Sequence, residues 1–149
     1  MKKTIENSLI LLVEDSPEDY ETTVRAFRKS GLKNGIVHCQ DGDEAIDYLF
    51  HRGKFADAGK HHLPGIILLD LNLPGTDGRE VLKEIKKNET LKKIPVVVLT
   101  TSSDERDIEQ CYADGANSYI QKPVDLSGFF DAVKRLKEYW FEISIIPKI

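Results

Sequence analysis

The sequence predicts an α/β domain: a doubly wound, five-stranded parallel sheet with a helix after each strand. Two observations carry this. Short apolar runs of strand length recur along the chain, and each is followed by a segment with helical spacing. The run Ile66-Ile67-Leu68-Leu69 has no polar break, which is how a strand buried on both faces reads. Strands that alternate with helices this way run parallel, and right-handed crossovers place helices on both faces.

The elements follow in order. Ser8 to Val13 is a buried-type strand ending in Glu14-Asp15. Ser16-Pro17-Glu18-Asp19 then starts a helix: Ser16 can cap, Pro17 suits the first position, and the two acids complement the positive helix end. Val24, Ala26 and Phe27 supply its apolar side, and Gly31 stops it near Ser30. Gly35 to Cys39 is a short strand. Asp41-Gly42-Asp43 turns into a helix with Ala45, Ile46, Leu49 and Phe50 on one face. Arg52 to Pro64 reads as a polar loop. After the central strand, Pro74, Gly75 and Gly78 turn the chain. Arg79 to Asn88 carries Val81, Leu82 and Ile85 at helical spacing. Ile94 to Leu99 is a strand reaching Thr100-Thr101, Asp104 to Asp114 is a helix closed by Gly115, and Ser118 to Gln121 is a strand leading to Lys122-Pro123. Leu126 to Tyr139 is the last helix, with Phe129, Val133, Leu136 and Trp140 as its inner stripe.

Composition narrows the function. The 149 residues suit one domain, large enough to fold without disulfide or metal. A net charge of −4 excludes the basic footprint of a nucleic-acid binder. No apolar run approaches the ~20 residues of a membrane span, and residues 1–7 carry no segment of signal length. Cys39 and Cys111 have no metal or redox spacing and read as reduced thiols. The expectation is a cytoplasmic protein of one domain, with its core over about 8–140 and a tail over 141–149. Few residues follow Phe141, so no fused output module is expected.

Three strands deliver chemistry to one sheet edge: Glu14 and Asp15 from the first, Asp70 from the third, and Thr100 from the fourth. Lys122 follows the fifth. The carboxyl edge of an open α/β sheet is where ligands bind. Crowded carboxylates repel unless cations intervene. A divalent ion and one lysine compensate three of them, and Mg²⁺ (or Mn²⁺) suits an oxygen site that leaves room for phosphate oxygens. Lys122 is a point charge for an incoming phosphoryl group and the Thr100 hydroxyl a hydrogen-bond donor to it. Phosphoryl transfer needs positioning and charge compensation, so Asp70 reads as a nucleophile that becomes an acyl phosphate.

An acid pair after strand one, an aspartate after strand three, a threonine after strand four and Lys-Pro after strand five resemble the response-regulator receiver domain, over Leu9 to about Tyr139. The resemblance implies a flavodoxin-like sheet with strand order 2-1-3-4-5. It implies Asp70 as the phosphorylation site, and Mg²⁺ held by Glu14, Asp15, Asp70 and the backbone carbonyl of Asn72. It implies Lys122 on the phosphoryl group, a cis bond before Pro123, and Thr100 and Tyr119 as a switch pair. That pair repacks the face made by the fourth helix, fifth strand and fifth helix. Asp70-Leu71-Asn72-Leu73-Pro74, Asp77 to Leu82 and Ile94 to Ser102 are similar to regulators that partner bacterial phytochrome histidine kinases, as are the extended loop before Ile66 and the Trp140-centred tail. The implied function is a signalling phosphoacceptor, not an enzyme acting on external substrates.

Other readings stand beside these. Asp15 also reads as a helix-capping acid, and Tyr119 as a half-buried strand aromatic. Adjacent His61 and His62, with His51, cannot easily face one ion. A haloacid-dehalogenase-type phosphatase needs an aspartate two residues after its nucleophile; Asn72 stands there. A phosphate-independent binding scaffold is the further alternative. The apolar tail, Tyr139-Trp140-Phe141 with Ile143, Ile145, Ile146 and Ile149, suggests a homodimer through the last helix and switch face. The alternative is a tail folded back on its own domain.

Overall fold

The computed structural model describes residues 8–147. The N-terminal segment Met1 to Asn7 and the tail residue Ile149 lie outside them. Strands β1 (Ile10–Val13), β2 (Ile36–Cys39), β3 (Ile66–Leu69), β4 (Val96–Thr100) and β5 (Ser118–Gln121) alternate with helices α1 (Pro17–Lys29), α2 (Gly42–Leu49), α3 (Gly78–Lys87), α4 (Glu105–Ala113) and α5 (Leu126–Lys137). The sheet order is β2-β1-β3-β4-β5 and every pairing is parallel. The predicted fold class and strand order are therefore those of the molecule.

Residue alternation along the central strands splits the core in two. Leu11, Val13, Ile67, Leu69, Val96 and Val98 face α2, α3 and α4, where they meet Leu49, Leu82, Ile85 and Cys111. Ile10, Leu12, Ile66, Leu68 and Val97 face α1 and α5, where they meet Phe27, Phe129, Val133 and Leu136. Both faces are covered, which is why the strands read as unbroken apolar runs.

Each helix begins at a side-chain cap. Ser16, Asp41, Asp77, Asp104 and Asp125 accept backbone N–H groups of Asp19, Glu44, Arg79, Arg106 and Gly128. Each such cap stabilises its helix by about 1 kcal/mol. In a parallel βα fold these helix starts gather at the edge where the strands end. Their positive dipole ends therefore face the same region as the acids.

Three segments differ from the sequence reading. The polar loop contains a 3₁₀ turn at Gly53–Phe55, and Phe55 and Leu63 pack on the core. His51 and His61 are tied through a ring nitrogen to a carbonyl at 2.7 Å, and the His62 carbonyl accepts the Tyr48 hydroxyl at 2.7 Å. The histidines thus serve loop packing. Helix α5 ends at Lys137 and continues as a π turn, Glu138–Ile143. That turn rotates Trp140 and Phe141 into the α1–α5 core, 8% and 5% exposed, with the Phe141 ring edge-on to Phe27 at 6.1 Å. Ile146 packs partly against the same core. Much of the tail is folded back, leaving Tyr139, Ile143 and Ile145 exposed.

Candidate functional site

The chain from β1 delivers Glu14 and Asp15 past the sheet edge. The Glu14 N–H donates to the Cys39 carbonyl at 3.0 Å, so β2 fixes its backbone. The Asp70 N–H donates to the Val13 carbonyl at 3.1 Å, which sets the two acid-bearing strand ends side by side. Lys122 is fixed by its own N–H, which donates to the Thr100 carbonyl at 2.7 Å. These are ladder-type bonds of a parallel sheet, so register alone gathers the side chains.

The Lys122 ammonium is the hub. It donates to Glu14 Oε2 at 2.6 Å, Asp19 Oδ2 at 2.9 Å and Asp70 Oδ2 at 3.1 Å. The side chains of Lys122, Glu14 and Asp70 are 3%, 4% and 9% exposed. Burial pushes the Glu14 carboxyl up to about 7 against the pull of Lys122, and the Asp70 charge adds to the rise. Burial works against the Lys122 charge too, but its bonds to Glu14 and Asp19 prevail and raise it above the ordinary lysine value.

Carboxylate oxygens of Glu14, Asp15 and Asp70 lie within 4.8 Å of one another. Asp15 is exposed, which leaves a solvent approach. One ammonium does not balance three carboxylates, which leaves room for a second cation. The donor set fits a hard dication, whose ligands stand about 2.1 Å away and include one or two carboxylates. The Asn72 N–H donates weakly to Asp70 Oδ1 at 3.4 Å, which turns the β3–α3 loop back toward the acids.

That loop is held by two close backbone approaches. A Cβ on Gly78 would stand 2.2 Å from the Asp70 carbonyl oxygen, and one on Gly42 would stand 1.7 Å from the Thr76 carbonyl oxygen. Only glycine lets α3 and α2 approach the loop this closely. Thr100 is fully buried at the end of β4, and its hydroxyl oxygen accepts the Ser102 N–H at 3.4 Å. Tyr119 is half-buried, and its hydroxyl donates to the Ser102 carbonyl at 2.9 Å.

The structure thus brings together Glu14, Asp15, Asp70 and Lys122. One expectation is overturned: the Lys122–Pro123 bond is trans, as are all described peptide bonds. The trans isomer is intrinsically favoured before proline, and Lys122 makes all three of its bonds from it. Two contributors were missed. Asp19, read only as a helix-end acid, reaches Lys122 from the first turn of α1. Its signal was available, because that helix starts at the same edge and Asp19 stands in its first turn, four residues after Asp15. The ring of His38, stacked on Tyr20 at 3.8 Å, lies 2.7 Å by Nε2 from the Glu14 carbonyl oxygen. No local pattern marks it. A cavity of about 530 Å³ opens beside the cluster, between the start of α1 and the β5–α5 turn, lined by Asp19, Thr101, Lys122 and Leu126 among others. Among the described residues no helix is long and apolar enough to cross a membrane.

The fold is shared with solved response regulators. The phosphorylated cyanobacterial phytochrome response regulator RcpA superposes with a TM-score of 0.89 at 44% identity, over 95% of this chain and 99% of that one. The Mn²⁺-bound response regulator Rcp1, a Synechocystis protein, gives 0.89 at 40% identity over the same shares. A probable methanogenesis regulatory protein, FilR2 of Methanothrix harundinacea, is 42% identical over 132 residues, 89% of this chain and 83% of that protein. Residues 10–134 match the family model described as the response regulator receiver domain. With the acids and lysine gathered at one sheet edge and this match spanning most of its length, the chain belongs to the response regulator receiver domain family.

Proposed function

We propose that Asp70 accepts a phosphoryl group from a sensor histidine kinase of the phytochrome type. The observation that carries this is the Lys122 ammonium, buried and shared between Glu14 and Asp70. Asp70 attacks the phosphorus of a phosphohistidine; the N–P bond breaks, its electron pair returns to the imidazole, and an Asp70 O–P bond forms. The attacked carboxylate loses its charge as the phosphoryl oxygens arrive, so Lys122 turns its donors to them. Glu14, Asp15, Asp70 and the Asn72 carbonyl would hold Mg²⁺ or Mn²⁺, which supplies charge neutralisation to those oxygens. The Thr100 hydroxyl donates to the same group. Movement of Thr100 and Tyr119 then repacks the α4-β5-α5 face, and output passes through protein contact there, including a homodimer formed with the exposed Tyr139, Ile143 and Ile145. The work is signalling rather than turnover of an external substrate, as Asn72 in place of a second aspartate supports.

Acetyl phosphate with Mg²⁺ tests the reading. The parent gains the mass of one phosphoryl group, and Asp70→Asn gains none while keeping its fold. Labelling of Asp70→Asn to the parent's extent refutes it. Phosphotransfer from a panel of histidine kinases, phytochrome-linked ones first, tests the partner.

A further inference from the structure

Every donor of the Lys122 ammonium is engaged by a carboxylate: Glu14 at 2.6 Å, Asp19 at 2.9 Å and Asp70 at 3.1 Å. An ammonium has three N–H donors and no acceptor, so a further acceptor displaces one of these partners. Arg79 is different. It grips Asp107 of α4 from Nε and Nη2 at 2.7 Å each and Asp77 from Nη1 at 3.1 Å, and a guanidinium has five donors for those two carboxylates. Lys122 alone faces three acids with no donor in reserve.

The three partners are not equal. The Glu14 and Asp70 side chains are 4% and 9% exposed, whereas that of Asp19 is 35% exposed. A buried carboxylate that loses its cation is left without compensation; an exposed one exchanges the bond for water. Asp19 is therefore the partner that Lys122 releases most readily.

The local structure lets that side chain turn while its backbone stays in place. Asp19 is the third residue of α1. Its N–H donates to the capping Ser16 hydroxyl oxygen at 3.2 Å, and its carbonyl accepts the hydroxyl of buried Thr23 at 2.7 Å. The cavity of about 530 Å³ borders both Asp19 and Lys122, so a carboxylate that lets go turns into open space rather than into the core. Among the described residues the acids close enough together to share one ion are Glu14, Asp15 and Asp70, and Asp19 is not one of them.

A phosphoryl group on Asp70 brings several anionic oxygens to this ammonium. Esterified Asp70 gives up one donor, and a second phosphoryl oxygen is served only if another carboxylate lets go. Electrostatics acts in the same direction. A negative charge bonded to Lys122 offsets part of the field that draws the incoming oxygens.

We propose that Asp19 competes with the phosphoryl group for the Lys122 ammonium and so holds down the site's affinity for that group. The proposal rests on the phosphoacceptor reading above. Asp19 touches no reacting atom; it is a positioning residue that acts through Lys122. Asp19→Asn keeps the shape and an acceptor oxygen but loses the charge, and Asp19→Ala leaves the third donor to water. In both, Glu14 and Asp70 still hold Lys122. Both variants therefore bind a phosphoryl analogue more tightly, whereas a merely damaged site binds it more weakly.

The test titrates beryllium fluoride, with Mg²⁺ in excess, into the full chain and follows bound fluoride by fluorine NMR. Asp19→Asn and Asp19→Ala bind the analogue at least about fivefold tighter than the parent, a small part of what a unit charge is worth one ammonium away. Glu18→Gln controls for net charge. Glu18 is exposed and borders the same cavity, but it makes none of the three Lys122 bonds. Its replacement changes the affinity by less than about twofold, as for a screened surface charge. Calorimetric titration of Mn²⁺ alone is the second readout, and neither Asp19 variant binds the ion more tightly than the parent. Parental or weaker analogue affinity in both Asp19 variants overturns the competition. So does a Glu18→Gln gain equal to that of Asp19→Asn, or a gain in Mn²⁺ affinity equal to the gain for the analogue. A parent chain that binds no analogue and takes no phosphoryl group from acetyl phosphate overturns the Asp70 reading, and the competition falls with it.

Discussion

Replacing Lys122 by methionine isolates the electrostatic claim on which the site rests. Methionine keeps an unbranched apolar side chain and removes the ammonium that Glu14, Asp19 and Asp70 share. Removing one partner of a buried ion pair costs about 3–5 kcal/mol, because a charge is left in low dielectric without compensation. Asp19 is 35% exposed and can turn to water, so the lower figure applies. Proton uptake limits the loss further. Glu14 sits near 7 even with Lys122 beside it, chiefly through burial, and loses a lowering influence when Lys122 goes. A carboxyl whose folded value lies above its unfolded 4.5 contributes stability that is complete below 4.5 and disappears as pH rises through the folded value. The variant therefore suffers most at high pH. A loss of about 3 kcal/mol at pH 8 should shrink by up to about 1.4 kcal/mol per pH unit on acidification. Urea titrations in EDTA at pH 6, 7 and 8 give this gap from midpoints at constant slope. Added Mg²⁺ at a hundred times its dissociation constant restores about 2.7 kcal/mol. A gap below about 1 kcal/mol at pH 8, or one that does not change with pH, would refute the shared-ammonium argument.

Four further outcomes are expected. Asp15→Ala, at an exposed position, leaves the fold intact and weakens Mn²⁺ binding in a calorimetric titration; parental affinity would remove Asp15 from the ligand set. Phe141→Ala costs about 3–5 kcal/mol by urea unfolding, as for other buried aromatics, whereas Ile145→Ser stays within about 0.5 kcal/mol. Sedimentation of the same Ile145→Ser protein reports whether the exposed tail residues hold a dimer, and an unchanged dimer would exclude Ile145 from the contact. The Asp107 carboxyl is depressed from 3.8 to about 2, so its contribution is complete above 3.8 and lost as pH falls through about 2. Acid unfolding of Asp107→Asn should accordingly show a weaker dependence on pH between those values, and an unaltered profile would contradict the Arg79 pairing.

What could be read from the sequence alone was what depends on neighbours in the chain. Strand runs, the Ser16 and Asp104 helix starts and the placement of Asp70 just after β3 follow from local apolar spacing, capping and turn chemistry. A parallel βα order then commits every strand end to one edge, so Glu14, Asp15, Asp70 and Lys122 could be assigned to one site before any distance was known. What the fold alone decided involves partners far apart in the chain. Asp19 meets Lys122 across 103 positions, and Arg79 meets Asp107 across 28, through side-chain directions that no periodicity encodes. Before Pro123 the trans form is intrinsically favoured by only about 0.5–1 kcal/mol, and trans is the form the structure shows. The tail carried an apolar surplus that suited either an interface or the core. One π turn after Lys137 rotated Trp140 and Phe141 into the core shared with Phe27, and that choice depended on the space left between α1 and α5, which exists only once the domain has folded.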